Sequence, residues 1–465
     1  MAASLPLPIE AGHGTLEQIF SNLLQKIPRG NLKALTALLS SACVCIGTGC
    51  SGLETPWFAT RALEAAFAAN GMSVLPFKHI FAAEIHAEKA RFIRDVCGGN
   101  VIFKDICDLG NARAVTWFSG MAAVVTAHVF IAGFFCRNMS RLNKKRKHSD
   151  NYLRDFMGTS GVTFRGVTQY LRAHMPRVAI LENVKGIQGQ PLQDAMDCLR
   201  ELGYMVVVQK LNSLDFCLPQ SRPRVWLFCL RRSLAERHPS GLEGVERSFT
   251  RWCDLLRSNN GRVPLESLLL SETDPEIVHS QVAVHKPHRS VRGRQRWIMQ
   301  HALADRQWFD SPVFGEFSDL RETFPGLNAL SLRQADLLQK KIAAGLRIGG
   351  QPARVLDLNF SLKYSGDSAV ESTTEVLHSP CVLPRGKLFH SGRGRLLRGL
   401  EALRLQGIWL ERRWLREFPN DLMSLGCASC LLKVFTCVLL DLAECVHPTK
   451  SSGNHLVVAL VSHED

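Results

Sequence analysis

Four side chains in this sequence are of types that carry covalent or proton-transfer chemistry, and each stands at the edge of an apolar run. Cys136 follows VFIAG at 129–133, a run with the length and β-branched content of a buried strand, and so sits where a strand gives way to a loop. Ligands of open α/β sheets bind beyond the carboxyl ends of the strands, so a thiol there is better placed for nucleophilic chemistry than one inside the strand. Glu182 lies near the end of a second such run, VAILENV at 178–184. An acid there is expensive to bury without a partner, and serves either as a structural hydrogen-bonding group or as a functional one. Arg222 and Arg224, in LPQSRPRVWLF at 218–228, alternate as they lead into a third strand and therefore share one face. Cys136 also has a plain structural reading, because cysteine is among the most frequently buried residue types and the chain holds 15 of them.

Such groups need strands to position them, and the sequence supplies a series. The run ACVCIG from Ala42 leads into a small-residue turn, Gly47-Thr48-Gly49-Cys50-Ser51-Gly52, and then into a helical stretch with Pro56 near its first turn. Strand, glycine turn and helix let backbone amides approach a cofactor closely, although the same arrangement occurs where nothing binds. Further runs end in HIFAAE at Glu84 and in VIFKDI at Asp105 and Ile106. An acid at the end of the second strand is where a ribose diol is commonly held, the plain alternative being a solvated helix-cap acid. Three such transitions in succession point to an α/β fold and a nucleotide-containing ligand. Before them, a capping-box pattern at Thr15-Leu16-Glu17-Gln18 opens an amphipathic helix that reads through Ile27 to Pro28, with a second short helix over 33–39. From about Arg231 to about Pro384 the rhythm is lost; a periodic helix returns over 398–409, followed by an apolar segment at 430–442 and a closing strand at 453–461.

Length and composition set the class. At 465 residues, 46% hydrophobic and 21% charged, the chain is a folded protein of two domains or of one large domain with an insertion. Its 56 Lys and Arg against 42 Asp and Glu leave a net charge of +14, which favours a polyanionic partner through phosphate contacts and counterion release. Two basic stretches stand out, NKKRKH at 143–148 and HKPHRSVRGRQRW at 285–297; the first follows Cys136 closely and could grip a phosphate backbone or serve nuclear import. No apolar run reaches the ~18 residues of a membrane span and the N-terminus lacks a signal peptide's positive flank. The expected setting is therefore a reducing compartment, the nucleus in a eukaryote and the cytoplasm otherwise, with neither secretion nor a membrane. The odd, scattered cysteines read as free thiols, and Cys427 with Cys430 lacks the second half of a zinc site, so no metal is expected.

In this order the motifs resemble those of the cytosine-C5 DNA methyltransferase family. GFFC at 133–136 resembles the family's Gly-Phe-Pro-Cys loop, LENV at 181–184 its Glu-Asn-Val motif, and LPQSRPRV at 218–225 its Gln-x-Arg-x-Arg motif. GTSGVT at 158–163 resembles the motif that precedes the Glu-Asn-Val strand, and EALRLQG at 401–407 the Glu-x-x-Arg-Leu-Gln-Gly helix. The resemblance covers about 42–231 and 393–442. It implies a Rossmann-like S-adenosylmethionine-dependent methyltransferase domain with an inserted target-recognition region: a helical extension at 1–41, the first catalytic part at 42–231, the recognition region at 232–384 and a return to the catalytic domain at 385–465. Double-stranded DNA is the implied partner and S-adenosylmethionine the implied cofactor.

The resemblance also implies roles. Carbon 5 of cytosine is too weak a nucleophile to take the methyl group, so the Cys136 thiolate adds at carbon 6 first. Glu182 donates at ring nitrogen 3, Arg224 holds the ring's carbonyl oxygen, and Arg222 supports the loop or a phosphate. The target base must leave the duplex stack to be reached. Cys50, Ser51 and Gly52 form the cofactor turn, with an earlier register through Gly47 and Gly49 as the alternative; Glu84 takes the ribose hydroxyls, and Asp105, followed by Ile106, the adenine amino group. The chain departs from the pattern at Phe135 for proline, Arg137 for glutamine or asparagine, the missing aromatic of the glycine loop, and Cys427 for asparagine in LGCAS at 425–429. Two other readings stay open: the same chemistry on transfer RNA, and a silent nucleic-acid-binding protein on the same fold.

Overall fold

The structure is a computed structural model; it describes residues 16–136, 153–257 except 239, 263–282, 319–359 except 321, 344–345 and 350–352, and 377–418 except 384–385 and 416–417. In chain order its first strands are β1 (Cys45–Gly49), β2 (Lys78–Ala83), β3 (Ile102–Phe103), a hairpin of β4 (Arg113–Val115) and β5 (Met121–Ala123), β6 (Val129–Gly133), β7 (Val178–Val184), β8 (Tyr204–Asn212) and β9 (Pro223–Arg231). All but the hairpin form one sheet in the order β3-β2-β1-β6-β7-β9-β8. Its first five strands run parallel, and β9 is antiparallel to both of its neighbours.

Helices cover both faces, which is why the strands read as unbroken apolar runs. The early helices are α1 (Leu16–Leu24), α2 (Arg29–Ser41), α3 (Thr55–Ala69), α4 (Ala87–Cys97), α5 (Gly158–His174), α6 (Gln190–Glu201), α7 (Arg232–Ala235) and α8 (Gly241–Leu256). On one face Ile46, Ile131, Ile180 and Phe228 pack with residues of α1, α3, α4 and α8. On the other, Phe130, Ala132, Leu181 and Leu227 pack with Phe164, Val167 and Leu171 of α5 and Leu199 of α6. The alternation along each strand sets the two faces. A smaller separate core gathers Leu327, Leu338, Leu356 and Phe389 around a short sheet of residues 355–357, 388–390 and 395–396. No helix among the described residues is long and apolar enough to cross a membrane.

Strand order reverses at β1, with β2 and β3 to one side and β6 and β7 to the other, and ligands of open α/β sheets bind in the crevice at such a switch. Three elements differ from their sequence reading. Gly47 and Gly49 belong to β1 and not to the turn, because Phe81 and Ile106 occupy the space their Cβ atoms would need, with atoms at 2.3 and 2.6 Å. Helix α2 runs from Arg29 to Ser41, beyond the short span expected, because it starts directly after Pro28. The helix expected over 398–409 spans only Gly399–Arg404: Gly407 takes a left-handed φ of 83°, with its N–H on the Arg404 carbonyl and the Ile408 N–H on that of Leu403, a Schellman ending. Ile408 and Trp409 stay buried beyond it, which kept the apolar period going in the sequence. The capping residue Thr15, both basic stretches, Arg137, Cys427, Cys430 and the C-terminal strand lie outside the described residues.

Candidate active site

Cys136 is held by a loop that two neighbouring elements clamp. Asn183, fully buried beside Glu182 on β7, donates from Nδ2 to the Phe134 carbonyl (3.1 Å) and accepts the Val184 N–H at Oδ1 (2.8 Å). From α5, Thr163 Oγ1 accepts the Phe135 N–H (3.0 Å). A proline has no N–H to give, so the Phe135 that departs from the family's pattern adds a tie which that pattern lacks. Phe134 packs on Phe164, ring centroids 5.2 Å apart, while the Phe135 side chain is 48% exposed.

Glu182 and Gly133 are paired across β6 and β7, and the carboxylate lies against the glycine: a Cβ there would meet Glu182 Oε2 at 3.4 Å. Arg224 Nε approaches Glu182 Oε1 at 2.7 Å and Arg222 Nη2 at 4.0 Å, all three side chains being largely buried. Burial and the negative carboxylate of Glu182 raise the Cys136 thiol above its ordinary range, with Arg224 and Arg222 pulling the other way. The charge balance around the Cys136 thiol is therefore set by residues far along the chain.

At the other end of the crevice the β1–α3 turn is built on left-handed backbone at Cys50, Gly52 and Glu54 (φ 52°, 60° and 54°). Such strain in non-glycine residues persists where surrounding structure fixes it. Here Ser51 donates its N–H to the Ala83 carbonyl (3.1 Å), and the Thr48 hydroxyl donates to Glu54 Oε2 (2.9 Å). Gly52 N–H donates to Glu84 Oε2 (2.8 Å) and His86 N–H to Glu84 Oε1 (3.0 Å), fixing that carboxylate at the end of β2. Asp105 accepts the Cys107 N–H (2.9 Å). The Cys50 thiol, buried and beside Glu84, Cys107 and Asp105, is pushed up to about 12 and stays neutral.

One cavity of about 310 Å³ joins the two ends. Cys50, Ser51, Gly52, Glu84, Asp105 and Ile106 line it together with Cys136, Glu182 and Arg222, and Arg224 adjoins them through its ion pair with Glu182. The preferred turn register is the one compatible with the backbone, since Gly47 and Gly49 are strand residues. A fixed carboxylate with lone pairs to spare, an amide-bearing turn and a second acid suit a nucleoside carrying a cationic, amino-acid-like tail.

The sequence profile of the family described as C-5 cytosine-specific DNA methylase matches residues 60–309, more than half of the chain, and spans Cys136, Glu182, Arg222 and Arg224. The chain belongs to that family. The chain is 28% identical, over an alignment of 420 positions, to the DNA (cytosine-5-)-methyltransferase DMT5 of Cryptococcus neoformans var. grubii, covering 84% of this chain and 16% of that protein. The Verticillium dahliae protein of the same name is 27% identical over 478 residues, covering 88% of this chain and 20% of its own. The chain thus spans a fifth or less of the length of these relatives. The crystal structure of S. pombe Dnmt2 methyltransferase aligns over 86% of this chain and 98% of that one, at 12% identity and a TM-score of 0.42.

Three residues of the candidate site had no role in the sequence reading. Thr163 and Asn183 sit inside quoted motifs, yet the bonds they make cross 28 and 49 residues of sequence. Trp226, 2% exposed, lines the cavity with an indole Nε1 that has no partner among the described residues. Releasing the clamp has a predictable consequence. Asn183→Ala and Thr163→Val each free one side of the Cys136 loop, and each is expected to slow covalent capture of the base about tenfold in single-turnover assays. Unchanged capture in both would show that the loop holds its geometry without them.

Proposed function

We propose that this chain transfers a methyl group from S-adenosylmethionine to carbon 5 of cytosine in double-stranded DNA. The observation that carries the reading is a cavity in which the Cys136 thiol and Glu182, ion-paired to Arg224, face the Glu84 turn. Family membership and the names of the fungal relatives support it. Bound in the turn, S-adenosylmethionine supplies an electrophilic methyl group on a sulfonium. Cys136 adds as the thiolate to carbon 6 of a flipped cytosine, Glu182 delivers a proton at ring nitrogen 3, and Arg224 with Arg222 holds the carbonyl edge. After transfer a base removes the proton at carbon 5, and the sulfur–carbon bond breaks to return the thiolate. Glu84 would bind the ribose hydroxyls and Asp105 with Ile106 the adenine, while Cys50, Ser51 and Gly52 present backbone to the tail.

Residues 232–384 are proposed as the target-recognition region between two catalytic parts, 42–231 and 385–465, behind a helical extension at 1–41. The nucleus is the proposed location, in keeping with the basic run at 143–148 and the net charge of +14. The test uses 5-fluorocytosine, whose fluorine blocks the last proton removal and traps the adduct. Incubation with S-adenosylmethionine and substituted duplex DNA is expected to give a denaturant-stable complex. An adduct on transfer RNA alone would move the activity to RNA, and binding without any adduct would make the chain a silent binder.

A further inference from the structure

The two site arginines share a third ligand that the mechanism above does not use. Cys381 belongs to a segment at 377–383 that is laid along the QSRPR motif: Ser379 N–H donates to the Pro219 carbonyl and Ser221 N–H to the Ser379 carbonyl, both at 2.8 Å. This seats Cys381 Sγ 3.1 Å from Arg222 Nη1 and 3.5 Å from Arg224 Nη2. Each guanidinium thus offers one nitrogen to the sulfur and a different one to Glu182, Nη2 from Arg222 and Nε from Arg224. Among the described residues, the charged groups that act on the sulfur are these two arginines. Burial alone would raise the thiol, but Arg222 and Arg224 outweigh it and hold the group below the ordinary thiol range.

The arrangement matters at the step where Glu182 carries the proton it delivers. Its negative charge is then gone, and two largely buried guanidiniums lose a carboxylate that they share, a costly change in a site removed from water. We propose that Cys381 is a positioning residue of this methylase, bracing Arg222 and Arg224 and supplying the counter-charge that Glu182 loses during the reaction. The inference rests on the methyl-transfer reading. It also ties the last residues of the proposed recognition region, 232–384, directly to the two arginines.

Serine, alanine and aspartate at position 381 separate charge from packing. With substituted duplex DNA and saturating S-adenosylmethionine, Cys381→Ser and Cys381→Ala are expected to capture the base about tenfold more slowly, at unchanged KM for DNA, while Cys381→Asp stays within a few-fold of wild type. A packing role predicts the reverse order, with serine near wild type and aspartate the worst, and that order would overturn the proposal. A second readout needs no turnover: the pH dependence of Cys381 labelling by iodoacetamide in the free protein, followed by mass spectrometry. Its midpoint is expected below the ~8.5 of a free thiol and should rise in Arg222→Gln. A midpoint at or above the free-thiol value sinks the idea. If wild type gives no adduct on any substrate, it is the methyl-transfer reading that fails, and the labelling midpoint alone decides whether Cys381 braces the arginines.

Discussion

Cys136→Ala is expected to abolish the covalent complex with 5-fluorocytosine DNA and to cut methyl transfer by at least about 10⁴-fold, the scale on which loss of an enzyme's nucleophile is felt. The effect should be that large because no other group in the cavity can replace the thiolate. Carbon 5 becomes nucleophilic only after addition at carbon 6, and the remaining thiol in the lining, Cys50, is pushed up to about 12 by burial and by the acids around it. Serine is no substitute, since a hydroxyl is far less acidic than a thiol. DNA affinity in a gel-shift assay should change little, because the arginines and the net charge of +14 are unaltered. An adduct that survives in Cys136→Ala would point to Cys50 as the nucleophile and would overturn the assignment.

The residues proposed for this chemistry were legible in the sequence for a physical reason. A parallel sheet covered on both faces demands apolar strands, so the breaks in VFIAG and VAILENV mark the strand ends where ligands bind, and Cys136 and Glu182 stand there. Glycine carries no such signal. Gly47 and Gly49 looked like turn residues, and only the rings and side chains packed over them show that they are strand residues making room for Phe81 and Ile106. Cys381 could not be read at all: it is 157 residues from Arg224, in a stretch with no periodicity, and its interest lies wholly in contacts that the chain makes on folding. The same holds for the Asn183 and Thr163 clamp, whose bonds have no trace in local spacing.

Glu182→Gln should act in two opposite directions, and that contrast tests the role more sharply than a loss of activity alone. Glutamine keeps the size of the side chain and an acceptor for the Arg224 guanidinium but cannot deliver a proton at ring nitrogen 3, so adduct formation is expected to fall by about 10²–10⁴-fold. In the free protein the same change should make Cys136 more reactive. The Glu182 carboxylate is one of the causes that raise the thiol, and Arg224 and Arg222 oppose it; removing the negative charge leaves the two cations to favour the thiolate. Burial persists, so the midpoint of Cys136 alkylation should move to lower pH without leaving the upper thiol range by much. Arg224→Gln should shift it the other way, because it removes a cation and leaves the carboxylate. A nucleophile that becomes easier to alkylate while base capture collapses is what a proton donor at the ring requires; were Glu182 there only to hold the loop, both reactivities would fall together.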